Sequence, residues 1–163
     1  MGRFKEQNRE GIQEMSDRGK EATDLGTEMT EQADQINSVL ESIEVQDEED
    51  VEAVSETGSS YQSSFDSAFS EQVETEGEAV AEQGEQIRET VEAELENVRS
   101  GASKMEQAGG ISEIGSDAAE SGRASLESSA EEYEGMISDA EGVVDETQEQ
   151  IEELKSNLSG IFG

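Results

Sequence analysis

The side chains in this sequence that could do chemistry are almost all carboxylates. Asp and Glu number 43 against 10 Lys and Arg, and the formal net charge is −33. Two carboxylates make an acid/base pair when their surroundings pull their pKa values apart. Here acids fall on nearly every helical turn, so spacing singles out no pair. The densest run, Glu48, Glu49 and Asp50, could hold Ca²⁺ together with backbone oxygens. It lacks the loop spacing and central Gly of an EF-hand, and reads as the acidic start of a helix. The chain has no His and no Cys, which removes imidazole and thiolate metal sites and the catalytic triads that depend on them. No Gly-rich loop ends in Lys-Ser/Thr, so there is no phosphate cradle of that type. Arg3, Lys5, Arg9, Arg18 and Lys20 cluster near the N-terminus with acids between them, as on an ordinary helix surface. These residues predict no enzyme, no cofactor, no metal and no small-molecule substrate.

One further group stands out. Aromatics make up 4% of the chain, yet Tyr61, Phe65 and Phe69 sit together at i, i+4 and i+8. That spacing places three rings on one helix face. Such a ladder serves either as core or as a patch for a partner.

The elements that carry these residues are legible from periodicity. From Ala130 to Ile161, two rows recur every seven residues: Ala130, Ile137, Val144, Ile151, Leu158 and Tyr133, Ala140, Thr147, Leu154, Ile161. Offset by three and then four, they form one apolar stripe on an otherwise polar helix. An earlier helix, about 3–44, carries Ile12, Gly19, Gly26, Ala33, Leu40 and Met15, Ala22, Met29, Ile36, Ile43. Gly inside a helix costs about 1 kcal/mol relative to Ala, so repeated Gly on a seam points to a neighbour that comes close. Asp47 is placed to cap a second helix over about 48–108. Its stripe runs from Val51 through Tyr61, Phe65, Phe69, Val73, Gly77 and Val80 to Met105, drifting toward an eleven-residue repeat. A break is predicted near 57–64, where Gly58, Ser59, Ser60, Ser63 and Ser64 lie. Gly109-Gly110 predicts a turn, Ser112 or Ser116 a cap, and a third helix runs over about 112–161. Ile111 and Ile114 belong to its weaker first part, and an apolar tail closes at Phe162.

Composition narrows the class. Hydrophobic residues are 31% and Pro is absent. That is too little apolar volume for a broad core, but enough for long helices in a thin bundle. The expected fold is all-α, a single elongated antiparallel three-helix bundle or coiled-coil-like rod. No apolar run is long enough to span a membrane, and Met1 to Glu10 lacks the apolar core of a signal peptide. The charge opposes nucleic acid and anionic lipid. It also predicts stability that increases with salt. Because the second helix is the longest, one of its ends should have fewer neighbours and fray or associate.

Long amphipathic helices with tight turns, acidic charge, a Ser/Gly/Ala-rich seam and no Cys or Pro resemble the helical-hairpin proteins of type VII secretion. These are the WXG-type small proteins, the LXG-type targeting domains and their helical accessory partners. The likeness spans most of the chain. With no Trp there is no W-x-G turn, and Gly109-Gly110 stands in its place. The Y-x-x-x-D/E signal is not met, since Phe65 follows Tyr61 and Ile137 follows Tyr133 at that spacing. The resemblance implies a non-enzymatic interaction module, cytoplasmic before export and secreted without a cleavable signal, which binds a helical protein or itself. Alternatives are a coiled-coil scaffold of a salt-tolerant cell and a virion or tail component. The expected interaction residues are Tyr61, Phe65, Phe69, Ile151, Leu154, Leu158 and Ile161. The third-helix residues should approach the ladder, with Ile36 and Leu40 on the remaining side.

Overall fold

The computed structural model describes residues 2–110 and 115–162. Every regular element among them is helical: α1 (Gly2–Glu41), α2 (Glu48–Phe69), a π-helical turn (Ser70–Glu74), α3 (Thr75–Gly109) and α4 (Ser116–Ile161). The fold is an all-α helical bundle. Ile111, Ser112 and Ile114 lie outside the described residues.

The helix ends follow local chemistry. The Asp47 side chain accepts a hydrogen bond from the Asp50 backbone N–H at 2.9 Å, and Glu48, Glu49 and Asp50 fill the first turn. This is the cap that the sequence predicts, with negative charge where the helix dipole favours it. The first helix closes at Glu41, short of the expected 44. Ile43 lies beyond it and is 46% exposed, so no burial holds the last member of its heptad row in the helix. Ser116 is the first residue of α4 and not its cap. The Gly115 carbonyl accepts from the Ala119 N–H at 2.9 Å. At Gly109-Gly110 the α3 helix ends as expected, with no positive φ among the described glycines.

Helix runs without interruption through 57–64, where the Gly/Ser content predicts a break. The irregularity is the π turn at 70–74, where the Thr75 hydroxyl also donates to the Ser70 carbonyl. The cause is the spacing of the apolar row. Tyr61, Phe65, Phe69, Val73 and Gly77 are separated by four successive steps of four. Each such step overshoots an α-helical turn by about 40°, so four would carry the row about 160° around the helix. A π turn takes in extra chain and reverses much of that drift.

Packing divides the chain into two compact units, and α1, α3 and α4 each contribute to both. The first comprises 1–15 and 82–143. Its buried residues include Met15, Val91, Leu95, Val98, Tyr133, Met136 and Ala140. Tyr133 is fully buried, with the Phe4 ring edge-on at 5.7 Å and the Lys5 ammonium 5.4 Å from its centroid. The second comprises 16–81 and 144–163. Ala22, Met29, Ala33, Phe69, Val73, Ile151 and Leu158 form its core. Within it α1 lies antiparallel to α2, with Gly26 near Phe69 and Gly58 near Leu40, and parallel to α4, with Gly19 near Thr147 and Gly26 near Leu154.

The seam glycines have a steric reason. A Cβ on Gly19 would collide with the Thr147 hydroxyl. One on Gly26 would stand 3.0 Å from Leu154 Cδ1 and 3.2 Å from Phe69 Cε2. Gly135 and Gly142, inside α4, would meet nothing within 4 Å. There glycine costs helix stability without easing any contact. Gly135→Ala and Gly142→Ala are each expected to raise stability by about 1 kcal/mol, read from urea denaturation followed by circular dichroism. A loss at both positions would show that space is not what limits them.

Candidate interaction surface

The structure brings the seven expected interaction residues together in the second unit. Phe69, Ile151 and Leu158 are buried in its core, and Phe65, Leu154 and Ile161 pack against it. Tyr61 differs, at 40% exposed. From α1 the core draws Ala22, Met29 and Ala33, with Leu25 beside them. Ile36 and Leu40, expected on the third side, are half-buried.

Phe162, which the sequence presents only as part of an apolar tail, completes the ladder. Its ring stacks on Tyr61 at 6.4 Å and on Phe65 at 6.1 Å, with interplanar angles of 12° and 23°. Aromatic pairs in offset stacks add roughly 0.5–1.5 kcal/mol beyond burial. The stacks fix where α4 leaves α2: the last turn of α4 stands level with Tyr61.

Beyond Tyr61, toward the α1–α2 connection, the hairpin carries exposed apolar side chains. Val39 is 62% exposed and Val51 53%, with Ile43 and Val45 also exposed. Val54, Gly58 and Leu40 are half-buried. Sequence reading expects one end of the second helix to have fewer neighbours but does not locate this patch, because Ile43 and Val51 fit apolar rows.

Charge around the hairpin is one-sided. The sequence has no Lys or Arg between Lys20 and Arg88. In the second unit Arg18 stands 2.6 Å from Glu76 and Lys155 3.1 Å from Glu74. The Arg18 hydrogen bond holds the Glu76 carboxyl below its ordinary range. In the first unit the Lys5 hydrogen bond does the same for Glu132, with Arg9 adding to it. A depressed carboxyl pKa stabilises the folded chain above the ordinary value of 4.5, and that contribution is lost as pH falls through the depressed value. The Arg18–Glu76 pair is solvent-exposed and contributes little. Burial pushes the Tyr133 phenol up, with Glu94 reinforcing it.

The larger electrostatic effect is repulsion among uncompensated carboxylates. The Debye length falls from about 10 Å at 0.1 M salt to about 3 Å at 1 M. Raising NaCl over that range is expected to raise the melting temperature. A melting temperature indifferent to salt would show that repulsion is not limiting.

An open groove of about 340 Å³ lies beside Gly77, bounded by Glu74, Glu78, Ile151, Glu152 and Lys155. Among the described residues no cluster of three or more acids is arranged to hold a metal ion. No helix of these residues is long and apolar enough to cross a membrane.

Protein-family models, curated proteins and solved structures give no match to this chain.

Proposed function

We propose that this chain is a non-enzymatic helical interaction module, which holds another protein by helix packing. Its place is in protein export, as a targeting domain or accessory partner of an exported protein. The observation that carries the interaction reading is the exposed apolar side chains of the α1–α2 hairpin, on a surface otherwise rich in carboxylates. Exposed apolar area of this kind is what a partner helix covers. The export reading rests on the resemblance in helix layout and composition to type VII helical-hairpin proteins. Its test is a tagged chain expressed in its own cells. It should copurify with one stoichiometric protein and reach the medium only while the secretion ATPase is intact. Retention in the cell with no stoichiometric partner would overturn the proposal.

The absence of Lys and Arg between Lys20 and Arg88 favours a second reading, a structural scaffold in a salt-rich cytoplasm, where dense carboxylates keep a helical rod soluble. Gene neighbours discriminate: a secretion ATPase or polymorphic toxin beside the gene supports export, and its absence favours the scaffold.

A further inference from the structure

We propose that the α1–α2 tip is a docking site for a cationic amphipathic helix of another protein. The proposal deepens the interaction reading by naming the surface and the chemistry of what covers it.

Three observations place the site. First, the Phe162 ring beside the last turn of α4 stacks on Tyr61 and Phe65. The row itself continues toward the tip through Gly58, Val54 and Val51. Second, that continuation meets α1 loosely. A Cβ on Gly58 would meet a single neighbouring atom within 4 Å, Leu40 Cδ1 at 3.8 Å. Val39, Ile43, Val45, Val51 and Tyr61 remain exposed. Two helices there present the side that a third helix covers lower down. Third, the charge there has one sign. Glu41, Glu44, Asp47, Glu48, Glu49, Asp50, Glu52 and Glu56 are all exposed in the stretch that carries the patch, which holds no Lys or Arg.

Those charges select the occupant. A second copy of this chain would bring its own net charge of −33 to an acidic stretch, and like charges in register oppose docking. An anionic membrane is opposed in the same way. A helix with apolar residues at i, i+3, i+4 and i+7 and Lys or Arg on both flanks satisfies both features of the tip. Its stripe covers the valines, its bases meet the carboxylates, and Gly58 leaves room for close approach.

The test uses a dye-labelled synthetic helical peptide with Leu at those four spacings and Lys on the flanks, titrated with the whole protein and read by anisotropy. The expected result is saturable binding with one peptide per chain. It should weaken at least about tenfold in the Val39→Ser/Val51→Ser/Tyr61→Ser variant, whose altered positions are exposed and whose circular dichroism melt serves as the folding control. A peptide of the same composition with its Leu positions scrambled should bind at least about tenfold more weakly, and a Glu-flanked version should not bind. Equal binding of the scrambled peptide, or unchanged affinity in the triple variant, overturns the proposal. So does concentration-dependent dimerisation in light scattering that the triple variant abolishes, because the tip then takes a second copy. A native partner that copurifies equally with the triple variant overturns the tip while leaving the interaction module standing. Absence of any stoichiometric partner for the unaltered chain overturns the module itself.

Discussion

Phe69→Ala is expected to remove about 3–5 kcal/mol of stability, the range for deleting a buried aromatic ring. Phe69 is 1% exposed and stands in the core of the second unit with Met29, Ala33, Val73, Ile151 and Leu158. It also lies against Gly26, where its Cε2 would be 3.2 Å from an added Cβ. The neighbours come from three helices, so no single side chain can swing in to fill the space. Domains of this size are stable by roughly 5–15 kcal/mol in total, and a chain with 31% hydrophobic residues has little surplus. Phe65→Ala should cost less, because Phe65 is half-buried and one of its contacts is the stack with Phe162. Urea titrations of both variants provide the measurement. Equal losses at 65 and 69 would mean that the burial difference along the ladder does not govern its energetics.

Gly19→Leu should destabilise by about 1–3 kcal/mol through overpacking, even though Leu is the better helix former. A single added Cβ already runs into the Thr147 hydroxyl. Thr147 is buried and β-branched, so its χ1 has few places to go. The helix-propensity gain of about 1 kcal/mol is smaller than the repacking this demands. Gly19→Ala tests the same contact with the least added volume and should also fail to stabilise. Its sign is opposite to that expected for Gly135→Ala, where the added carbon meets nothing. Two identical substitutions on helix interiors, differing only in what lies across the seam, separate close approach from flexibility. A rise in melting temperature for Gly19→Leu would refute close approach.

Much of the architecture is legible because period and burial are tied together by helix geometry. Met15, Ala22 and Met29 recur at seven and are buried, as are Ala130, Tyr133, Ala140, Ile151 and Leu158. The seam glycines are legible for the same reason: a costly residue repeated on an apolar row signals a neighbour. What the rows cannot show is their own extent. Ile43 and Val51 satisfy them yet face solvent. Met136 is buried although it sits one residue before the expected Ile137, because a real stripe is wider than two rows. The π turn illustrates a second limit. Composition points to 57–64, where Gly and Ser weaken local propensity, but the helix continues through it. Spacing governs instead, and the run of fours is the sign that composition conceals.

That wide turn has a consequence for how the chain can change length. Inserting one residue into a helix normally turns everything beyond it by about 100°, which would take a whole apolar row out of its seam. A π turn is the form in which a helix absorbs such an insertion locally, leaving the two flanks in phase. Losing one residue between Ser70 and Glu74 would return ordinary α-helical hydrogen bonding and shorten the Phe69–Val73 step from four to three. The row Phe65, Phe69, Val73, Gly77 would then read four, three, four, the common alternation of a helical seam. Related chains, if they vary in length within this helix, should do so at this turn, where the difference of one residue is already accommodated.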